Sequence, residues 1–387
     1  MSESEATPEL ELTEGALDSG LIAESEEEEP GSIEPLEPAS RRPGGPVARR
    51  IYSTGSAELD RLVQDVVERV ETQEADLLRE LMTTSLRLVL QGSTRAELKL
   101  VNAAMKEFAY SFRVFAPYQH LPKVSIFGSA RVMPGDPAYI AARDFAREMA
   151  SRGWMVITGA GPGIMAAGHE GAGASQSFGA NIRLPFLNPA NVYIARDGKL
   201  INFKYFFTRK VTFMKESKAF VLLPGGWGTL DEAFELLTLV QTGKSDLHPV
   251  VLLEPDGSTY WRTWDEFIRA QVLRRGFISA DDLSLYRVAA SVSEAVAEIE
   301  RFYSNYRSAR FVGDRLVLRL NRAPDEAALR ALNADFADLL DHGAFEVIPP
   351  TAPELRDEDD LEAARLAFFP SHAYGRLRQL IDELNKL

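Results

Sequence analysis

Three times in this chain a short apolar run ends in a glycine-rich turn that opens a helical pattern. Residues 124–127 lead into Gly128-Ser129-Ala130-Arg131, and residues 155–158 into Gly159-Ala160-Gly161-Pro162-Gly163. Residues 220–223 lead into Pro224-Gly225-Gly226-Trp227-Gly228-Thr229. A further apolar run spans 249–253, and helical patterns start near Pro137, Gly163, Gly228 and Tyr260. This alternation predicts an α/β fold, a parallel sheet with helices on both faces. Ligands of such sheets bind at the carboxyl ends of the strands, where these glycines sit.

Glycines at such turns let backbone N–H groups approach an anion, and the helix start adds about half a positive charge. Ser129 and Thr229 add hydroxyl donors. A tight turn needs glycine in any case, but three such loops in one sheet point to a phosphorylated ligand. None is a Walker A loop, because no Gly-Lys-Ser/Thr follows. The second resembles a dinucleotide fingerprint only loosely, and residues 182–185 lack the ribose-binding acid, so hydride chemistry is not favoured.

The third loop runs into Leu230-Asp231-Glu232. The spacing Thr229-x-x-Glu232 is that of a capping box, so Glu232 either closes a helix start or faces the ligand. Asp231 should lie about 100° away round the helix, whereas Glu235 could share the face of Glu232. Upstream, residues 206–215 read as a helix carrying Arg209 and Lys210, which point about 100° apart, so one of the two is expected to reach the pocket. Tyr205, Phe206, Phe207 and Phe213 either sandwich a base or pack the core.

The chain has 387 residues and net charge -14, of which -9 falls in residues 1–50. That segment, with its run Glu26-Glu27-Glu28-Glu29, is expected to be a disordered acidic tail. Residues 51–118 read as helices, among them one opened by the capping-box spacing Thr94-x-x-Glu97. Residues 119–308 hold the sheet and end in a helix over 290–308. Residues 309–387 form a small α+β appendage: a strand at 316–320, a helix over 324–340, a strand at 345–348, and two helical stretches after the polar break at 356–360.

With no Cys, thiolate catalysis, disulfides and zinc ribbons are excluded, and the five scattered His form no metal-binding spacing. A metal site built from His is therefore not expected. The acidic balance argues against nucleic-acid and anionic-membrane partners. There is no apolar run near 20 residues and no secretory signal, so the expected location is the cytoplasm.

The residues Phe127-Gly128-Ser129, Arg209-Lys210 and, above all, Pro224-Gly-Gly-Trp-Gly-Thr-Leu-Asp-Glu232 resemble the LOG ("lonely guy") family. Many of its members carry the label of lysine decarboxylase. The likeness covers about residues 95–305. It implies a Rossmann-like fold, a homodimer, no cofactor, and hydrolysis of the N-glycosidic bond of nucleoside 5′-monophosphates, such as cytokinin riboside monophosphate or AMP. It further implies that Arg209 and Glu232 are the catalytic pair, with Arg209 holding Glu232 ionised. The nucleotide would be held by Gly128, Ser129, Gly159, Gly161, Gly163, Met165, Lys210, Gly225, Gly226, Gly228 and Thr229. Where the plant enzymes have a Gly-Gly-Gly loop and Gly-Leu-Met-Gly, this chain has Gly159-Ala-Gly-Pro-Gly-Ile-Met-Ala166, which leaves a broader purine or pyrimidine nucleotide open. Two other readings stand beside this one. A non-catalytic nucleotide sensor fits the same fold, and a pyridoxal-phosphate decarboxylase would need a Schiff-base lysine that nothing singles out among Lys210, Lys215 and Lys218.

Overall fold

A computed structural model describes residues 52–184, 189–371 and 373–387. The acidic segment 1–50 and His372 lie outside the described residues. Contacts divide the chain into two units, Met1–Thr84 and Ser85–Leu387. In the first, Ser56 caps α1 (Ala57–Val70) by accepting from Leu59 N–H, and Arg79 of α2 (Ala75–Leu90) donates to Gln64 of α1 at 3.0 Å.

The second unit opens with α3 (Arg95–Phe115), where the Thr94–Glu97 capping box is formed as its spacing predicts. Then follow β1 (Lys123–Phe127), α4 (Pro137–Ser151), β2 (Met155–Thr158), α5 (Ile164–Ala172) and β3 (Ser177–Ile182). Next come β4 (Leu200–Phe203), α6 (Phe206–Glu216), β5 (Ala219–Leu222) and α7 (Trp227–Gln241). The run closes with β6 (Val250–Leu253), α8 (Tyr260–Phe267), β7 (Arg287–Ala289) and α9 (Val292–Phe302). The seven strands pair in parallel in the order β4-β3-β2-β1-β5-β6-β7.

Successive side chains of a strand point to opposite faces, and the central strands are buried on both. Val124, Ile126, Val156, Val221 and Val251 enter one apolar cluster with Phe145 and Met149 of α4 and Ile299 of α9. Phe127, Ile157, Phe220 and Leu222 enter another with Phe213 of α6 and Leu236 of α7. The strand order reverses between β1 and β5, and the crevice at that reversal is where such sheets take ligands.

The second cluster continues into an antiparallel unit: β8 (Tyr306–Val312), β9 (Arg315–Leu320), α10 (Glu326–Asp335), β10 (Leu340–Val347), α11 (Ala352–Arg356), β11 (Ala364–Pro370) and α12 (Tyr374–Leu384). Its strands run β10-β11-β9-β8. The helix expected over 290–308 stops at Phe302, because Tyr306 N–H turns to Asn385 Oδ1 at 2.8 Å and the chain enters β8. A two-residue turn at Gly313-Asp314, with Gly313 at φ 61°, then joins β8 to β9, so the antiparallel unit starts at Tyr306 rather than at 309. Of the two helical stretches expected after residue 360, the first is the strand β11, held between β9 and β10. Strands β3, β4 and β7 are further additions to the sequence reading. No described helix is long and apolar enough to cross a membrane.

On α5, a Cβ built at Gly171 would lie 1.9 Å from the Arg143 carbonyl oxygen of α4. Gly171→Ala therefore forces the two helices apart, and we expect a loss of about 1–3 kcal/mol, the scale of overpacking. Urea unfolding with an unchanged m-value checks it.

Candidate active site

The β1–β5 pairing places Phe127 beside Leu222, so the loops that follow leave the sheet side by side. Leu223 N–H donates to the Phe127 carbonyl at 2.9 Å, and Ser129 N–H donates to the Pro224 carbonyl at 3.1 Å. The second loop joins them through Ile164 N–H, which donates to the Ser129 carbonyl at 3.0 Å. Gly163 is required there. Its φ is 67°, and a Cβ would stand 2.3 Å from that same oxygen. All three glycine turns thus form one hydrogen-bonded cluster at the reversal point.

Around this cluster lies a cleft of about 700 Å³, within the usual range of ligand sites. It is lined by Gly128, Ser129, Gly159, Met165, Arg209, Gly226, Gly228, Thr229 and Glu232 from the sequence expectation. Gly161, Gly163, Gly225 and Lys210 do not line it. Gly225 serves packing, since a Cβ would meet Thr229 Oγ1 at 2.1 Å and its carbonyl accepts from Tyr260 Oη at 2.8 Å. Phe206, Trp227, Arg131 and Asp231 also line the cleft, though no role was read for Arg131 and Trp227 from the sequence. The aromatic signal was there in the loop itself: Trp227 is 89% exposed, with Phe206 exposed as well.

Helix α7 starts one turn earlier than a capping box would need. Its N-cap is Gly226, so Thr229 lies inside the helix, its own N–H directed at the Gly226 carbonyl. Glu232 therefore caps nothing. Amides of a first helical turn have no partner within the helix, and Gly226, Trp227 and Gly228 bring theirs to the cleft.

Glu232 is 5% exposed, and its Oε2 has no hydrogen-bond partner. Burial pushes its carboxyl up to about 7, against the pull of Arg209 and Lys210. The expectation that Arg209 holds Glu232 ionised is not met: among the described residues no ion pair joins them, and desolvation outweighs the attraction. Arg209 Nε donates to the Ala180 carbonyl of β3 at 2.9 Å, with the guanidinium 5.3 Å from the Phe213 ring centre. Burial lowers its pKa from the ordinary value and Glu232 opposes the shift. Lys210 turns to α7, bonded to Asp231 Oδ2 at 2.8 Å and to Glu235. Glu235 is thus engaged by Lys210, and Asp231, expected on another face, stands at the cleft rim.

The second loop is braced by residues the sequence reading passed over. Ala160 holds a left-handed φ of 61°. Asn191 grips it from both sides, donating from its backbone to the Ala160 carbonyl at 2.8 Å and from Nδ2 to the Gly161 carbonyl at 2.9 Å. Asn191 Nδ2 also lies 3.1 Å from His169 Nδ1, while His169 Nε2 donates to the Phe178 carbonyl at 3.0 Å. Burial lowers the pKa of this His, which sits neutral in the brace.

Residues 163–299 match the family described as "Possible lysine decarboxylase". The chain is 39% identical over 94 residues to the cytokinin riboside 5′-monophosphate phosphoribohydrolase LOG3 of Arabidopsis thaliana, covering 24% of this chain and 42% of that protein. To LOG of Oryza sativa it is 35% identical over 100 residues, 25% of this chain and 39% of that one. It spans about two fifths of the length of the curated relatives it matches. Among solved structures, the Moco carrier protein of Chlamydomonas reinhardtii is similar over 47% of this chain and 96% of its own, at 21% identity and TM-score 0.33. A likeness at that level says nothing of function.

The folded chain keeps the Glu232 proton up to about pH 7, while an ordinary Glu loses it near 4.5. Ionisation in the fold thus costs stability as pH rises across that window, about 3 kcal/mol once complete. We expect Glu232→Gln to be more stable than the parent at about pH 8, the gain vanishing toward pH 4. Denaturant midpoints at the two pH values measure this, and equal stability at the higher pH would contradict it. The likeness to the LOG family carried by residues 224–232 is thus found again across residues 163–299 and in the plant enzymes.

Proposed function

We propose that this chain hydrolyses the N-glycosidic bond of nucleoside 5′-monophosphates, releasing free base and ribose 5-phosphate. The observation that carries the reading is Glu232, a buried carboxyl with an unpartnered oxygen, lining the cleft between the α7 amides and Arg209. A helix start needs no such group there, and a pure phosphate binder gains nothing from a carboxylate beside its anion. The likeness to the plant phosphoribohydrolases supports the same chemistry.

In this reading the 5′-phosphate sits on the amides of Gly226, Trp227 and Gly228 and on the Thr229 hydroxyl. Phosphate binding then positions the sugar, so remote contacts lower the barrier at C1′. As the C1′–N bond breaks, the ring takes on oxocarbenium character, and the Glu232 carboxylate stabilises it and accepts a proton from the attacking water. The new C1′–O bond forms from that water, and the departing base takes up a proton. Arg209, fixed by Ala180 and Phe213, supplies positive charge on the sugar–phosphate side. Phe206 and Trp227 offer planar surfaces for the base.

A Schiff-base decarboxylase finds less support. Its lysine must shed a proton, yet Lys210, despite the lowering effect of burial, has its pKa raised by Asp231 and Glu235.

Incubation with AMP, N6-isopentenyl-AMP and the other common monophosphates, followed by chromatography, tests the reading. Base should be released from monophosphates and not from nucleosides, and Glu232→Gln should lower kcat by roughly 10²–10⁴. Because the carboxylate form is required and burial raises its pKa to about 7, kcat/KM should fall as pH drops through about 7. Glu232→Gln should lack that limb. Ligand binding without turnover would make the nucleotide-sensor reading the better one.

The chain is further proposed to act as a homodimer. Phe112 of α3, Phe207 and Val211 of α6 and Phe234 of α7 are exposed apolar side chains. Light scattering should give twice the chain mass, and substituting Phe207 and Val211 by Ser should return it to the single value.

A further inference from the structure

The opposite end of the parallel sheet, where its strands begin, holds a second cavity of about 840 Å³, bounded also by the antiparallel unit. Its charged lining consists of Lys123 at the start of β1, Lys215 and Glu216 at the end of α6, Lys218 before β5, Arg307 on β8, and Asp360. Four cations thus meet two carboxylates, in a chain whose net charge is -14.

Both carboxylates are already engaged. Asp360 pairs with Arg307 at 2.9 Å, and Glu216 lies 2.6 Å from Lys215 and 3.8 Å from Lys123. Among the described residues no carboxylate lies within ion-pair distance of Lys218. Lys123 is 3% exposed, and its Nζ donates to the Leu121 carbonyl at 3.1 Å. Burial lowers its pKa, Glu216 resists, and the nearby Lys215 and Lys218 lower it further. Three ammonium groups therefore repel one another around one space, with two positive charges left over. Beside them, the rings of Trp154 and Tyr303 stand 6.0 Å apart, centre to centre, and line the same cavity.

We propose that this cavity binds a phosphorylated small molecule, with the phosphate among Lys123, Lys215 and Lys218 and its organic part against Trp154 and Tyr303. A phosphate monoester carries close to two negative charges at neutral pH, which matches the surplus, whereas a lone carboxylate leaves one charge uncompensated. Ammonium–phosphate contacts are the charge-assisted kind, shorter and stronger than neutral hydrogen bonds.

Phenyl phosphate, which joins a phosphate to a planar ring, is the probe. Calorimetric titration of the full chain should show a binding event that Lys218→Ala weakens about tenfold and Lys215→Ala/Lys218→Ala abolishes. Both side chains are exposed, so the variants should fold, and the parent thermal midpoint without ligand verifies this. Thr229→Val, in the cleft at the other end of the sheet, should leave the event intact. The proposal is overturned if the lysine variants bind phenyl phosphate as the parent does, or if all binding vanishes with Thr229→Val. Neither result depends on whether any nucleotide is turned over.

Discussion

The pairing of β1 with β5 is the constraint on which the cleft depends. These two strands are adjacent in space although three other strands separate them in sequence, and the reversal leaves a crevice with no crossover helix above it. Register then does the rest. With Phe127 opposite Leu222, the turns that follow exchange the Ser129–Pro224 hydrogen bond, and Gly163 lets the second loop close against Ser129. The same bond uses up the Ser129 N–H, while Gly226, Trp227 and Gly228 bring the amides of the α7 start to the cleft. Close approach among three backbones explains the glycines better than three separate phosphate contacts would.

Glycine turns, Arg209 and Glu232 were legible in the sequence because each belongs to a short contiguous run. So were β1, β2, β5 and β6, whose burial on both faces writes them as unbroken apolar stretches. Strands β3 and β4 carry Ser177, Asn181 and Asn202 and lie toward one side of the sheet, and β7 is three residues at the other edge, so none gives that signal. Strand β11 misleads for another reason. Its Ala-Arg-Leu-Ala start favours helix by intrinsic propensity, and pairing on both sides overrides that preference. The brace of Asn191 on Ala160 and Gly161 joins residues about 30 apart and leaves no local pattern at all. The Thr229–Glu232 spacing fitted a capping box equally well, and only the position of the N-cap at Gly226 removes that reading.

Helix α6 connects the two ends of the sheet. Phe206 and Arg209 line the cleft from its first turns, while Lys215 and Glu216 line the cationic cavity from its last. Its apolar side is fixed by Phe213 in the main cluster and its flank by Thr208, whose hydroxyl donates to Glu107 of α3 at 2.5 Å. Six residues of helix separate Arg209 from Lys215 by only about 9 Å, so one helix lines both cavities.

Two buried glutamates of this chain show what sets the cleft apart. Glu354, in the antiparallel unit, is fully buried, yet it accepts from Thr351 N–H at 3.0 Å and Thr351 Oγ1 at 2.7 Å. Arg319 and Arg365 also donate to it, at 2.9 and 3.2 Å. Burial alone would raise its pKa, but these donors bring it down to about 2. Glu232, also shielded from solvent, ends near 7, with one oxygen unpartnered. A carboxyl's charge is thus decided by its burial and by the donors around it together. A carboxylate locked by four donors has a structural role, since moving any of them leaves a charge stranded. One left without donors in a cleft costs the fold once it is ionised, and a proton or another positive charge in front of it relieves that cost. In the proposed reaction, the oxocarbenium ring of a nucleotide losing its base would bring such a charge at the moment of reaction, which is the condition for stabilising a transition state more than a ground state.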